Sequence, residues 1–236
     1  MRWMKLLAVD TTHRGGSVAV LDEDKLLGLI GFATAPGHAE TLLPTIDAVL
    51  RGCEMDLSEI EAFAVLTGTG SFTGLRIGIS TVQGLAFATK RPVVGVSSLE
   101  ATAHRYRVRS GWIASLLDAR RGEVFGALYQ CDGCRLETVI EPLCEAPERF
   151  IARLPSSETV LVAGSGIDPF RELLVDTLGE RLQLGDSSPF LAEEVARIGL
   201  ELHQDGKQEP LGGLQAVYLR PSDAEKTTQE SSRVDP

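Results

Sequence analysis

The order of the predicted elements constrains the fold most, because the same order occurs in both halves of the chain. Each half contains three short apolar runs separated by turn-rich or charged segments, which predict strands, followed by a helix, a strand and a helix. The halves share negligible residue identity, so the repeat is architectural and indicates duplication of one structural unit. In chain order the predicted strands are 4–10, 17–21, 26–32, 62–66, 93–96, 112–117, 123–129, 135–140 and 159–163, and the predicted helices are 38–51, 73–90, 99–107, 147–154, 169–178 and 189–204.

A sheet backed by helices, present twice, predicts an α/β protein with two lobes. Each lobe is expected to be a mixed sheet with helices, built like the lobes of the ribonuclease H and actin-like ATPase folds. The predicted N-terminal lobe spans residues 1–108 and the predicted C-terminal lobe spans residues 109–221. The polar, non-periodic segment 222–236 is expected to be a disordered tail.

The distribution of charge bears on the partners of the chain. Of its net charge of −10, residues 1–110 contribute nothing (11 Lys and Arg, 11 Asp and Glu), whereas residues 111–236 hold 12 Lys and Arg against 22 Asp and Glu. Such a surface repels a phosphate backbone, so binding of nucleic acid by this chain alone is disfavoured. The alternating Arg105, Arg107 and Arg109 are expected to form a solvated edge or, alternatively, to contact a partner or a phosphate.

The sequence also predicts where the protein resides. No apolar run approaches the roughly 18 residues that span a bilayer, and the apolar segment after Lys5 is too short for the core of a signal peptide. Four unevenly spaced cysteines are too few for a secreted disulfide framework. We therefore expect a cytoplasmic protein with reduced thiols and no membrane contact.

A glycine-rich loop at residues 68–78 lies between a predicted strand and a predicted helix. Such a loop can direct backbone N–H groups at an anion, but it lacks the lysine of a P-loop and its spacing misses the dinucleotide fingerprint. The alternative is a tight turn in which Ser71 or Thr73 caps the helix. The candidate residues of a weak, vestigial site for ATP or ADP are Asp10, Thr11, Gly68, Gly70 and Gly74.

The turn at residues 118–123 corresponds, in the second half, to the turn that begins at Asp10. It contains two arginines where an ATPase needs glycine and small hydroxyl residues, so hydrolysis of a nucleotide is not expected. The four histidines include no pair at helical i, i+3 or i, i+4 spacing, and no Gly-x-Ser-x-Gly nucleophile elbow is present. Cys131 and Cys134 are expected in a hairpin turn and not in a zinc site. We predict no metal site and no catalytic residues.

The helix predicted at residues 73–90 is apolar nearly all round and contains Gly74, Gly78 and Gly84. Each glycine inside a helix costs about 1 kcal/mol relative to alanine, which indicates close approach of another backbone. Together with the helix at 38–51 it predicts an apolar patch that pairs with a similar patch in a four-helix interface; alternatively, the second half of the chain covers both helices. The predicted interface residues are Leu42, Leu43, Ile46, Leu75, Gly78, Val82 and Leu85.

Five strings give the chain a resemblance to a known family. They are LLAVDTT at 6–12, HAETLLP at 38–44, GSFTGLRIG at 70–78, DARRGEVF at 118–125 and YLR at 218–220. From Met4 to about Arg220 the chain resembles the TsaB (YeaZ) family of bacterial tRNA threonylcarbamoyladenosine (t6A) biosynthesis proteins. Thr12 and Thr69 depart from the serine and proline that are common in that family.

The resemblance implies a non-catalytic member of the actin-like ATPase superfamily. It would pair with the catalytic paralogue TsaD and support the ATPase TsaE, and the assembly would transfer threonylcarbamoyl to N6 of adenosine 37 in tRNAs that read codons beginning with A. The pairing helices would be those at 38–51 and 73–90, a homodimer could compete, and tRNA would be contacted only through the complex. The alternatives are an actin-like ATPase that acts alone and a glycoprotease-type metallopeptidase.

Overall fold

The structure is a computed structural model that describes residues 4–13, 15–33, 37–188 and 190–220. The tail predicted at 222–236 lies outside the described residues. Among those described, no helix combines the length and the hydropathy needed to cross a membrane.

The first half of the chain forms a five-stranded mixed sheet in the order β3-β2-β1-β4-β5. The first three strands are an antiparallel meander, and the last two continue the sheet in parallel from β1. The central strand β1 is buried almost throughout, as its apolar run predicts. The strands are β1 (Lys5–Asp10), β2 (Gly15–Asp22), β3 (Lys25–Ala33), β4 (Ala62–Leu66) and β5 (Val93–Val96).

The second half forms a five-stranded sheet in the order β8-β7-β6-β9-β10, which repeats the topology of the first sheet strand for strand. This identity of order confirms the predicted fold class, two ribonuclease H-like lobes related by duplication. The sequence analysis missed β10, because three residues are too few to show a period of two. The strands are β6 (Ser110–Arg120), β7 (Glu123–Asp132), β8 (Leu136–Glu145), β9 (Val160–Ala163) and β10 (Leu182–Leu184).

The described ranges contain six α-helices, at equivalent places in the two repeats, and each begins within three residues of its predicted start. Two pack against the outer face of each sheet: α1 and α2 cover one face of the first sheet, and α4 and α5 cover one face of the second. The helices are α1 (His38–Gly52), α2 (Phe72–Thr89), α3 (Ser98–His104), α4 (Pro147–Ala152), α5 (Arg171–Leu178) and α6 (Ala192–Gln204).

The last helix of each repeat crosses to the other lobe. Leu99 and Ala103 of α3 pack against β6, β7 and β9 of the second sheet, while Val195 and Ile198 of α6 pack against the inner face of the first sheet. The division into lobes 1–108 and 109–221 stays a prediction, and α3 and α6 each pack on the sheet of the opposite half. Helix α3 belongs to the first repeat and covers the second sheet, and α6 belongs to the second repeat and covers the first sheet.

The segment after α6 returns along the first lobe as well. Glu209 pairs with Val93 of β5, Leu214 is buried in the core beneath α1 and α2, and the Val217 N–H donates to the Thr67 carbonyl oxygen at 2.7 Å. Although the predicted C-terminal lobe includes these residues, they lie along the N-terminal one, and the segment reaches the second lobe at Leu219 and Arg220. We call residues 205–220 the terminal strap.

Candidate functional site

The two lobes face each other across a cavity of about 590 Å³. The turn after β1, the start of α1 and the loop before α2 contribute residues from the first lobe, and the β6–β7 turn contributes residues from the second. The lining residues are Thr12, His13, Gly15, His38, Thr69, Gly70, Ser71, Phe72, Leu117, Asp118, Ala119, Arg120, Phe125, Ser165 and Arg220. Both turns that the sequence analysis compared, those at Asp10 and at Asp118, therefore lie at the same cleft.

Asp10 lies beneath the cleft with no exposed surface. Its Oδ1 accepts hydrogen bonds from the backbone N–H and the hydroxyl of Thr12, at 2.9 and 2.7 Å, and its Oδ2 accepts one from the N–H of Leu191 at 3.1 Å. The Ser17 hydroxyl oxygen likewise accepts from the Ala192 N–H at 3.1 Å. Asp10 and Ser17 thus cap the first turn of α6 from across the fold. A side chain so enclosed cannot ligate a metal ion in the cleft without rearrangement.

Thr11 is also buried, and it fixes the position of α2. Its hydroxyl donates to the Gly74 carbonyl oxygen at 2.8 Å. A Cβ on Gly74 would overlap the Thr11 carbonyl oxygen, and a Cβ on Gly78 would overlap the Thr11 hydroxyl oxygen. Glycine is therefore required at both positions so that α2 can approach the end of β1. The close approach predicted from these glycines is real, but it is made within the lobe; a Cβ added at Gly84 would meet no atom within 4 Å.

The glycine-rich loop is held by contacts within the protein. The Ser98 hydroxyl donates to the Gly68 carbonyl oxygen, the Ser71 N–H donates to the Thr12 carbonyl oxygen at 2.7 Å, and the Ser71 hydroxyl oxygen caps α2 by accepting from the Gly74 N–H at 3.2 Å. These contacts match the helix-cap alternative. Of the five predicted nucleotide-site residues, Gly70 alone lines the cleft.

The opposite wall of the cleft is the β6–β7 turn. Asp118 Oδ1 accepts from the Arg120 N–H at 2.8 Å, and Arg120, Arg121 and Gly122 are all left-handed, with φ of 64°, 57° and 76°. This strained hairpin places Arg120 in the wall of the cleft. The turn that corresponds to the Asp10 turn therefore presents an arginine side chain to the cleft, where an ATPase needs glycine or a small hydroxyl residue.

Two histidines that the sequence analysis did not assign line the same cleft. His38 Nε2 lies 2.7 Å from the His13 carbonyl oxygen, so Nε2 must carry a proton and the neutral ring leaves Nδ1 bare. The Thr12 hydroxyl donates to Asp10, so the 3.0 Å contact between that oxygen and His13 Nδ1 requires a proton on Nδ1. His38 Nδ1 and the Thr69 hydroxyl are buried polar groups that have no hydrogen-bond partner among the residues the structure describes. No local spacing in the sequence signals this convergence.

Cys131 and Cys134 lie where the hairpin was predicted. Cys131 ends the buried part of β7 and its thiol donates to the Arg107 carbonyl oxygen at 3.0 Å, while Cys134 is exposed in the turn. Over the described ranges, no group of three or more His, Cys, Asp or Glu side chains is arranged to hold a metal ion.

The predicted interface residues divide between the core and the surface. Leu42, Ile46, Leu75, Gly78 and Val82 are buried, and the four larger side chains are at most 4% exposed. A side chain in the core cannot contact a partner while the lobe is folded, so these five need correction as contact residues. Leu85 is half-buried, and Leu43 is 52% exposed.

The outward side of α1 and α2 presents a different set of residues. We call it the helix-pair face. Seven of its fourteen exposed residues are small and four are charged, and its larger apolar groups are Leu43, Phe72 and Phe87, of which Phe87 is 73% exposed. The exposed residues are Ala39, Glu40, Leu43, Pro44, Asp47, Ala48, Arg51, Phe72, Thr73, Arg76, Ser80, Gly84, Phe87 and Ala88.

The three alternating arginines connect segments and do not form a free edge. Arg105 Nε lies 2.6 Å from Glu194 Oε1, Arg107 Nη1 lies 2.5 Å from Glu201 Oε1, and Arg109 donates to the Gln183 side chain at 3.1 Å. They tie the segment after α3 to α6 and to β10.

His104 lies beside these arginines at the end of α3. It is 6% exposed, and burial, together with the charges of Arg107 and Arg197, lowers its pKa to about 3. It is therefore neutral at physiological pH, and its 3.9 Å contact with Glu201 is not an ion pair.

Comparison with known proteins agrees with this geometry. A family model described as TsaD, tRNA N6-adenosine threonylcarbamoyltransferase, matches residues 25–178. The chain is 33% identical to the tRNA threonylcarbamoyladenosine biosynthesis protein TsaB of Escherichia coli, over 92% of this chain and 95% of that protein. It is 29% identical to the Bacillus subtilis protein of the same name, over 98% of this chain and the whole of that protein.

A solved structure extends the similarity to three dimensions. YeaZ from Pseudomonas aeruginosa superposes with a TM-score of 0.78 at 32% identity, over 92% of this chain and all of that one. The strings that suggested the resemblance thus lie within a similarity that spans nearly the entire chain. The chain belongs to the TsaB (YeaZ) family of tRNA threonylcarbamoyladenosine biosynthesis proteins.

Proposed function

We propose that this chain is a non-catalytic subunit of the machinery that forms t6A at adenosine 37 of tRNA, and that its helix-pair face binds the catalytic TsaD-type paralogue. The observation that carries the proposal is the composition of that face. Leu43, Phe72 and Phe87 are 52%, 42% and 73% exposed on two adjacent helices whose other large apolar side chains already pack in the core. Small residues between them permit close helix packing, as in a four-helix interface.

The environment of Asp10 supports a non-catalytic role. In this chain the carboxylate is buried and holds the start of α6, so it is not presented to a nucleotide in the cleft. The net charge of −10 would repel the phosphate backbone of tRNA, which supports tRNA contact through the other subunits. The assembly would work in the cytoplasm. A TsaE-type ATPase would act on the assembled pair, and a homodimer through the same face would compete with the heterodimer.

The test is co-purification with the TsaD-type paralogue from the same organism. Leu43→Asp and Phe87→Asp should each abolish pairing, because a charge would be buried in an apolar interface, while the thermal melt of the free chain stays unchanged. Val175→Asp is the matched control, since Val175 is 50% exposed on α5 of the other lobe. Full pairing by both helix-pair variants, or equal loss in the control, would contradict the proposal.

A further inference from the structure

Arg76 of α2 is held in a fixed position at the surface. Its guanidinium lies 3.8 Å from the centroid of the Phe72 ring, and its Nε donates to the Tyr218 hydroxyl at 3.3 Å. The rings of Phe72 and Tyr218 are themselves 5.2 Å apart. A cation–π contact and a hydrogen bond thus restrict a long side chain that is free to rotate on most surfaces.

The terminal strap supplies the third member of this cluster. Tyr218 follows Val217, whose N–H donates to the Thr67 carbonyl oxygen at 2.7 Å. Further back, Leu214 is buried in the core and its carbonyl oxygen accepts from the Gln83 side chain at 2.5 Å. Because the strap is anchored at both points, the phenol is positioned over α2 by contacts that do not involve Arg76.

Arg76 has no carboxylate partner within the described part of the chain. Its polar contact is with an uncharged phenol, whereas Arg51 on the neighbouring helix pairs with Asp47 at 3.0 Å. None of the acidic side chains in the described ranges pairs with this cation, although the chain carries ten excess negative charges. Because the side chain is already ordered, a carboxylate that binds it loses less entropy than one that binds a mobile arginine.

A groove of about 490 Å³ adjoins the cluster on the helix-pair face. One residue of α1 and six of α2 form it, and Ala39, Phe72 and Ile77 among them offer apolar contact beside the charge. Its lining residues are Ala39, Phe72, Thr73, Arg76, Ile77, Ser80 and Thr81. Arg and aromatic side chains are the residue types that most often dominate the energy of protein interfaces.

We propose that Arg76 is the charged anchor of the helix-pair face and binds an Asp or Glu carboxylate of the paralogue, while an apolar side chain next to that carboxylate fills the groove. The inference rests on the proposed function and assigns the chemistry of its interface. Charge complementarity selects the occupant: one ordered cation bordered by apolar surface fits a single acidic side chain of a protein. A nucleic acid backbone would meet one cation on an acidic chain, which is too little for binding.

The experiment compares Arg76→Gln with Arg171→Gln in calorimetric titrations against the purified paralogue. Arg76→Gln should raise the Kd by 10- to 100-fold, and Arg76→Lys should weaken binding less. Arg171→Gln should leave the Kd within twofold, because Arg171 lies on α5 of the other lobe, away from the helix-pair face, and pairs with Asp168. The affinity of the unaltered chain should fall with added salt more steeply than that of Arg76→Gln. Circular dichroism melts verify that each variant is folded.

The outcomes separate this inference from the proposed function. If Leu43→Asp abolishes pairing and Arg76→Gln leaves the Kd unchanged, the face binds the paralogue but Arg76 is not its anchor, and the inference is overturned. If neither change weakens pairing, the proposed function fails with it. If Arg76→Gln weakens tRNA binding by the assembled complex without changing the Kd for the paralogue, the anchor belongs to RNA and the inference is wrong.

Discussion

At the scale of single residues, the glycines of α2 divide into two that the fold requires and one that it does not. A methyl group added at Gly74 would overlap the Thr11 carbonyl oxygen, and it has no space because the obstructing atom belongs to the backbone. We expect Gly74→Ala to destabilise the protein by about 1–3 kcal/mol, the usual range for overpacking. Gly84→Ala, where no atom lies within 4 Å of the added Cβ, should instead be neutral or stabilise it by up to about 1 kcal/mol.

Urea unfolding of both variants measures this difference. The two substitutions add the same methyl group to the same helix, so intrinsic helix propensity cancels between them and only the surroundings differ. Equal effects at the two positions would show that α2 does not approach β1 as closely as the structure has it.

At the scale of elements, the start of α6 depends on side chains that are distant in sequence. The Asp10 carboxylate and the Ser17 hydroxyl oxygen accept hydrogen bonds from the N–H groups of Leu191 and Ala192. The N-cap residue of α6 itself makes no side-chain capping hydrogen bond. We expect Asp10→Ala to cost about 1–3 kcal/mol, because it removes a cap and leaves buried N–H groups unpaired. Hydrogen exchange should rise at the first turn of α6 and remain unchanged in α5.

The duplication provides the control for that variant. Asp118 occupies the corresponding place near the end of β6, where its carboxylate accepts from the Arg120 N–H within its own turn. Asp118→Ala should therefore alter stability by less than about 1 kcal/mol and leave α6 protected. Comparable exchange in α6 for both variants would exclude the capping role of Asp10.

The elements also show what the sequence could and could not reveal. In the part of the chain that the structure describes, apolar periodicity located all six α-helices and nine of the ten strands, because each periodic pattern reports a face that must be buried. The same periodicity could not say that α6 covers the first sheet, since an apolar stripe does not identify the surface against which it packs. For that reason Leu42 and Val82, which were predicted at the interface because they are apolar, are buried in the core. His38 lines the cleft because the fold brings α1 next to the turn after β1, which the sequence pattern does not reveal.

At the scale of the whole molecule, the exchanged helices α3 and α6 bind the two lobes together, and Arg105 is the centre of their polar contact. Its side chain pairs with Glu194 at 2.6 Å and Asp186 at 3.4 Å and donates to the Phe190 carbonyl oxygen. Glu194 is 8% exposed, so its carboxylate depends on this cation.

Removing one partner of this pair should be far more harmful than removing both. Arg105→Met leaves the Glu194 carboxylate buried without a cation and should cost about 3–5 kcal/mol, whereas the double variant Arg105→Met with Glu194→Leu should recover much of that loss. Arg51→Met, which breaks the exposed pair with Asp47, should cost less than about 0.5 kcal/mol. Urea unfolding followed by circular dichroism measures all three. Strict additivity of the two single changes would mean that the lobes are joined by apolar contact between α3 and α6 and that Arg105 contributes no specific coupling.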